Sequence, residues 1–505
     1  MLARVLGATV YGLDGYLVEV EVDVALGLPS FDIVGLPDLA VREAKERVRA
    51  AVKNCGFSIP TRRITVNLAP ADLRKEGSGF DLSIAVALLA ASEHLSLPSI
   101  SDAVFVGELS LDGMLRPVHG VLPMAISCQQ AGKRLVLPRA NALEARLVES
   151  IDVLAVDSLG ELVVILRGGR QGTEVSIPPN TQPEPTVDFC DIAGQEQAKR
   201  ALEIAAAGGH NVLLVGPPGS GKTLLAKHLP SILPPMPREE ALAVTKIYSV
   251  AGLLSNRGAL VTERPFRAPH HSISYGGLIG GGKIPQPGEV SLAHCGVLFL
   301  DELPEFSKRV LEQLRQPLED GQVTIARVNA TLTYPAELML VAAMNPCPCG
   351  YFGDRLRPCT CSPQEVTRYR ARVSGPLLDR IDMQLMVPRL EYDELAGRNG
   401  GESSSVIRRR VAGARAWQEA KLRPLGALTN ARLRHKELRK LTISNAAQSL
   451  LKGAFTRLGL SARGHDRILR VARTIADLEQ SAGIEAHHVA EAISYRTLDQ
   501  GVVAP

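Results

Sequence analysis

Residues 216–223 read Gly216-Pro217-Pro218-Gly219-Ser220-Gly221-Lys222-Thr223, a G-x-x-x-x-G-K-T run. This spacing makes a loop that cradles phosphate. Its glycines let backbone N–H groups turn toward phosphate oxygens, and the helix that follows adds the positive end of its dipole. Lys222 is placed to reach the β- and γ-phosphates of ATP, and Thr223 to hold Mg²⁺. A second run, Gly296-Val-Leu-Phe-Leu-Asp-Glu, ends in two carboxylates, with Asp301 lying 79 residues beyond Lys222. Asp301 suits the Mg²⁺ shell, and Glu302 suits the orientation of an attacking water. The third chemical signal is cysteine. Cys347, Cys349, Cys359 and Cys361 form two C-x-C pairs within fifteen residues. Four thiols so spaced can make a tetrahedral S₄ site for structural Zn²⁺, with reduced free thiols, or redox or cluster chemistry, as the alternatives. The C-x-C spacing is tighter than the C-x₂-C of zinc ribbons.

The elements around these residues are legible. Val212-Leu-Leu-Val215 is a short apolar strand feeding the phosphate loop, and a helix runs out from Leu224. Leu338 to Met344 is another apolar strand, ending in the polar amide of Asn345. Residues 1–166 alternate β-like runs (Gly15–Val24, Ile64–Leu68) with helical patterns (Leu39–Asn54, Leu82–Glu93, Val121–Ala131). Residues 167–189 are rich in Gly, Pro, Gln and Thr and read as a linker. The expected ATPase core spans 190–388. A helical C-terminal region, 389–505, shows a stripe at Leu469, Val471, Ala472, Ile475 and Ala476.

Length and composition set outer bounds. A chain of 505 residues holds about three domains. Apolar content of 45% and charge of 22% describe an ordinary soluble protein. No apolar run is long enough to span a bilayer, and no secretory signal opens the chain, so a cytoplasmic protein without membrane contact is expected. Disulfides are not expected there. The net charge of +4 is small but uneven: Ile407–Lys440 carries eleven Lys/Arg against two Glu. That stretch reads either as a path for a polyanion or as solvated helix faces.

Two resemblances add to this reading. Lys75-Glu-Gly-Ser-Gly-Phe-Asp-Leu and Gly107-Glu-Leu-Ser-Leu-Asp-Gly-Met-Leu-Arg-Pro-Val-His-Gly resemble the Lon-protease C-terminal domain, a fold related to ribosomal protein S5. That family uses a Ser–Lys dyad. Here Gly79 stands at the position matching the serine and Met124 at that matching the lysine, with Ser78 one residue off register. The resemblance therefore implies an inactive peptidase fold.

The whole chain resembles AAA+ ATPases, and among them the magnesium-chelatase-like group with its bacterial YifB/ComM family. The motifs are Gly194-Gln-Glu-Gln-Ala-Lys-Arg-Ala-Leu, Pro265-Phe-Arg-Ala-Pro-His-His-Ser, Pro287-Gly-Glu-Val-Ser-Leu-Ala-His, Asn345-Pro-Cys-Pro-Cys-Gly and Ser374-Gly-Pro-Leu-Leu-Asp-Arg-Ile-Asp. The resemblance implies an α/β fold: a P-loop AAA+ core with a helical lid behind a Lon-like α+β domain. It implies that Asn345 is sensor 1 beside the γ-phosphate. It makes Arg380 the finger that reaches a neighbouring subunit's nucleotide, and Arg463 the lid's sensor 2, with Arg467 as runner-up. Ile192, with Gly194 and Gln195, would wrap the adenine. The stretch with Arg267, His270, His271 and Gly280–Lys283 looks like a helix-2 insertion, and Gly321–Thr333 like a pre-sensor-1 β-hairpin. Lys283 and Arg327 are then the candidate DNA contacts. The two histidines, expected on opposite faces of a strand, are read as structural. A homo-oligomeric, hexameric ring is implied, working on single-stranded or branched DNA as a helicase that promotes branch migration in natural transformation. The alternatives are a magnesium-chelatase-like remodelling or metal-insertion ATPase and an active Lon-like serine peptidase.

Overall fold

The structure, a computed structural model, describes residues 1–71, 74–75, 77–169, 187–254, 260–282, 285–327, 330–354, 356–392, 401–422 and 429–496. The chain divides into two compact units. One is Met1–Gln182 with Ala241–Val261; the other is Pro183–Glu240 with Thr262–Pro505.

The first unit is built on a seven-stranded sheet. Its strand order is Ser30–Val34, Arg63–Ala69, Asp14–Ala25, Leu2–Tyr11, Ala103–Phe105, Arg134–Pro138, Val153–Val156. Asp14–Ala25 alternates strictly, burying Val18, Val20, Val22 and Val24 on one face, as a half-covered strand must. The helix Asp81–Ala91 is apolar all round and buried at every position. Asp81 is its one charge. It accepts from Arg47 Nε (2.6 Å) and Nη2 (2.9 Å) and from the Leu109 amide (3.1 Å). Burial still pushes its carboxyl up to about 6 against the pull of Arg47.

The Lon-like positions carry no dyad. Met124 is buried, and Ser78 donates its hydroxyl proton to the Glu108 carboxylate. The Lys75 ammonium is buried and donates to the Pro70 carbonyl. This unit also claims Ala241–Val261, which in sequence lies between Lys222 and Asp301. Within it, Ser249 Oγ donates to Glu144 at 2.5 Å and the Gly120 amide donates to the Ser249 carbonyl at 3.1 Å.

The second unit holds a five-stranded parallel sheet in the order Phe266–Arg267, Val297–Leu300, Met339–Met344, Val212–Val215, Met383–Met386. Val212–Val215, Val297–Leu300 and Met339–Met344 are buried at every residue, as parallel strands covered on both faces are. The helices Glu196–Gly208, Ser404–Leu422 and Ala462–Leu478 share their core. Ala462–Leu478 buries Ile468, Leu469, Val471, Ala472, Ile475 and Ala476, the stripe anticipated from periodicity. The hairpin forms as Gln322–Arg327 paired antiparallel with Ala330–Pro335. Among the described residues, no helix is long and apolar enough to cross a membrane.

Candidate nucleotide site

The phosphate loop leaves the C-terminal end of Val212–Val215 and enters the helix Lys222–His228. Gly219 (φ +77°) and Gly221 (φ +89°) adopt left-handed backbone, and a Cβ at either would meet open space. Glycine is therefore required by conformation there, and the room around the loop is free for a ligand. At Gly216 the constraint is steric, since a Cβ would sit 2.2 Å from the Val387 carbonyl oxygen.

Lys222 Nζ donates to the carbonyls of Gly216 (2.7 Å) and Pro217 (2.8 Å) and lies 3.4 Å from Asn345 Oδ1. Burial pushes its ammonium down to about 8. Thr223 Oγ1 donates to Asp301 Oδ2 at 2.7 Å, and the Glu302 amide donates to Asp301 Oδ1 at 2.9 Å. Glu302 itself sits at φ +52°, a left-handed conformation that costs a non-glycine residue about 1–2 kcal/mol. This donor set, amides and an ammonium for phosphate with hydroxyl and carboxylate for a hard cation, fits a Mg²⁺–nucleotide. Gln195 ties in from the side, donating to the carbonyls of Ser220 (3.3 Å) and Pro388 (2.7 Å), while Ile192 is buried in the core.

Two neighbours of Glu302 are not apparent from sequence. His271 Nδ1 lies 3.6 Å from Glu302 Oε2. His270 and His271 do not point to opposite faces: the strand ends at Arg267, and in the loop beyond it their rings lie 4.0 Å apart. The second is a cleft of about 400 Å³ lined by Glu302, Glu305, Asn345, Arg368, Tyr369 and Arg372.

Arg380 and Arg463 are elsewhere. Val212 pairs with Met383 and Val215 with Met386, so Arg380 lies before the strand's N-terminal end while the phosphate loop lies beyond the other end. Four residues of strand put on the order of 13 Å between those edges. The Arg380 guanidinium donates to the carbonyls of Arg315 (3.0 Å) and Pro376 (2.7 Å) and to Glu319. Arg463 and Arg467 gather at the same edge, 3.8 and 3.7 Å from the Asp379 carboxylate. The structure thus groups the sequence candidates into two sets at opposite ends of the sheet.

Comparison with known proteins agrees with this architecture. The family description "Magnesium chelatase, subunit ChlI" matches residues 188–395, "Subunit ChlI of Mg-chelatase" matches 20–141, and "Magnesium chelatase, subunit ChlI C-terminal" matches 401–496. The chain is 44% identical over 494 residues to the uncharacterized protein YifB of Salmonella typhimurium, covering 97% of this chain and 96% of that one. It is 45% identical over 507 residues to the competence protein ComM of Haemophilus influenzae, covering 98% of each. The chain belongs to the magnesium-chelatase-like YifB/ComM family. A shorter match, 34% identity over 148 residues to Lon protease 2 of Bacillus subtilis, covers 27% of this chain and 26% of that protein. The fold class is that of this family: an α/β AAA+ core with helical lid and a Lon-like domain.

Two further expectations meet different fates in this YifB/ComM-type chain. The four sulfurs of Cys347, Cys349, Cys359 and Cys361 lie within 4.8 Å of one another. The DNA candidates cannot be placed: Lys283 and the side chain of Arg327 lie outside the described residues. Much of the basic stretch is consumed internally. Arg408 donates to the Ser231 carbonyl, Arg415 to that of Ala206, Arg432 to that of Leu318, and Arg410 pairs with Glu203 and Glu402. These arginines serve the packing of the unit. A second cluster, Glu479 with His487 and His488, is better read as a helix cap than a metal site. His488 Nδ1 accepts the Glu485 amide proton (2.9 Å), which leaves Nε2 to donate to Glu479 (3.0 Å).

Proposed function

We propose that this protein is an ATP-driven DNA motor whose subunits assemble into a ring, most simply a hexamer, and complete one another's nucleotide sites. The observation that carries the reading is the separation of Arg380 and Arg463 from the phosphate loop by the full height of the sheet, with Arg380 at one edge and Lys222, Thr223, Asp301, Glu302 and Asn345 at the other. An arginine so placed cannot serve its own nucleotide, and it fits the role of a finger supplied to a neighbouring copy.

In this reading the amides of 219–223 and the Lys222 ammonium bind the β- and γ-phosphates. Thr223 and Asp301 would hold Mg²⁺, which would neutralise charge on the phosphate oxygens. Glu302, fixed in its left-handed turn, orients the attacking water and accepts its proton. Asn345, beside Lys222, would help to position that water. The neighbouring subunit's Arg380 offsets the charge that develops in the transition state, an effect of about 10³-fold or more on rate. Arg463, with Arg467 behind it, would report lid position to the same phosphate. Ile192 and Gln195 would border the base. The four cysteines would hold a structural Zn²⁺.

DNA as the substrate of the motion is supported by the hairpin Gln322–Pro335, by the name of the competence protein among the relatives, and by the resemblance to DNA-translocating rings. The finer role proposed is branch migration during integration of transforming DNA in the cytoplasm. A magnesium-chelatase-like remodelling ATPase is favoured only by the family descriptions and by a 27% match over 169 residues to the magnesium-chelatase 67 kDa subunit of Chlorobaculum parvum. ATP turnover measured with and without single-stranded and forked DNA separates the two. Stimulation by DNA, with unwinding of the fork, is expected; turnover and assembly indifferent to DNA would reject the motor.

A further inference from the structure

The four-cysteine loop is built into the wall of the nucleotide site. Its sulfurs are preset for a tetrahedral ion. Cys347 Sγ lies 3.3 Å from Cys349 Sγ and 3.7 Å from Cys359 Sγ, and Cys349 Sγ lies 3.6 Å from Cys359 Sγ. The edges of a ZnS₄ tetrahedron with bonds of about 2.3 Å are about 3.8 Å, whereas a disulfide would require about 2.05 Å. Backbone amides already point at the sulfurs: Phe352 N to Cys347 (3.3 Å), Cys349 N to Cys361 (3.4 Å) and Cys361 N to Cys359 (3.4 Å). Such donors stabilise thiolate ligands from outside the metal shell.

Three features tie this loop to the nucleotide site. The loop begins two residues after Asn345, whose amide oxygen is 3.4 Å from Lys222 Nζ. Its turn at Gly350 (φ +86°) packs on the phosphate loop so closely that a Cβ would stand 2.6 Å from Pro218 Cδ. It ends at Ser362, the cap of the helix Pro363–Arg370. That helix returns to the start of the loop through Arg370 Nε, which donates to the Pro346 carbonyl at 3.1 Å. Arg370 also lies over the Phe352 ring at 5.2 Å. Arg368, Tyr369 and Arg372 then line the cleft shared with Glu302 and Asn345.

We propose that a zinc ion bound by Cys347, Cys349, Cys359 and Cys361 is an integral part of the nucleotide site. It fixes the surface against which Pro218 rests and the position of Asn345, so that nucleotide affinity depends on the metal. This rests on the reading of the phosphate loop as an ATP site.

The test uses the full chain and three variants: Cys359→Ser, Cys359→His and Gly350→Val. Metal per chain is measured by mass spectrometry and, after cobalt substitution, by the thiolate-to-cobalt absorption band. Affinity for a fluorescent ADP is measured separately. One zinc per chain is expected for the native protein and about none for Cys359→Ser, with affinity lowered at least tenfold. Cys359→His restores a fourth ligand and should recover both metal and affinity. Gly350→Val keeps all four ligands and the metal but loses affinity, because its side chain collides with Pro218. Native protein purified without metal, or metal-free Cys359→Ser that binds ADP like the native chain, would overturn the proposal. A zinc-loaded native protein that binds no nucleotide would instead reject the ATP-site reading, and the two failures are told apart by the metal count.

Discussion

Lys222 gives the nucleotide site a pH dependence that can be worked out in advance. Its ammonium rests on the Gly216 and Pro217 carbonyls, and burial brings it down to about 8 from 10.5. Phosphate binds the charged form, so affinity is full below that value and is lost as pH rises through it. The protonated fraction falls from about nine-tenths at pH 7 to about half at pH 8 and about a tenth at pH 9. The dissociation constant for ADP should therefore weaken about twofold from pH 7 to 8 and about fivefold more from 8 to 9. Nucleotide phosphates are already ionised across this range, so they add little slope. Because a bound phosphate restores the charge, binding at pH 8 should take up about half a proton, visible in calorimetry as a dependence of the heat on the buffer's ionisation enthalpy. Lys222→Arg, whose guanidinium keeps its proton throughout, should bind with a flat profile. A flat profile in the native protein, or the same slope in Lys222→Arg, would refute the reasoning.

Two further perturbations follow from named contacts. His271→Ala removes the imidazole whose Nδ1 lies 3.6 Å from Glu302 Oε2. Freed of that partner, Glu302 should raise basal ATP turnover about threefold, the scale of a half-exposed polar pair, with ADP affinity unchanged; an unaltered or lower basal rate would deny His271 any hold on Glu302. Arg47→Ala strands Asp81 as an unpaired buried carboxylate in the first unit and should cost about 3–5 kcal/mol at pH 7. The folded value of Asp81 lies above its unfolded one, so the charge costs nothing below about 3.8 and its cost develops as pH rises toward about 6. The Arg47→Ala deficit in thermal unfolding should accordingly shrink between pH 7 and pH 5, and a deficit that grows on acidification would contradict the assignment.

Local spacing carried much of this structure. The phosphate loop, the strand leading into Asp301, and the helix Leu39–Asn54 depend on residues within a few positions of one another, and all three form where the sequence puts them. The helix Asp81–Ala91 was legible as apolar, although not as a helix buried on every side. What could not be read are meetings between distant segments. Nothing near Gly350 announces Pro218, and nothing near His271 announces Glu302. The histidine pair departs from the alternation of a strand because the strand ends at Arg267, and beyond it the two rings lie side by side. The basic run Ile407–Lys440 shows a different limit: charge counts do not reveal that Arg408, Arg415 and Arg432 are spent on carbonyls of their own unit.

The central claim is that hydrolysis requires Lys222 of one copy and Arg380 of the next. Lys222→Ala and Arg380→Ala proteins should each be inactive alone in DNA-stimulated ATP turnover. Mixed in equal amounts and allowed to exchange subunits, they regenerate interfaces that pair an intact phosphate loop with an intact arginine. Turnover should recover toward about a quarter of the native rate, the share of such interfaces in a randomly mixed ring. A mixture no more active than its two components would contradict a site completed between copies of this chain.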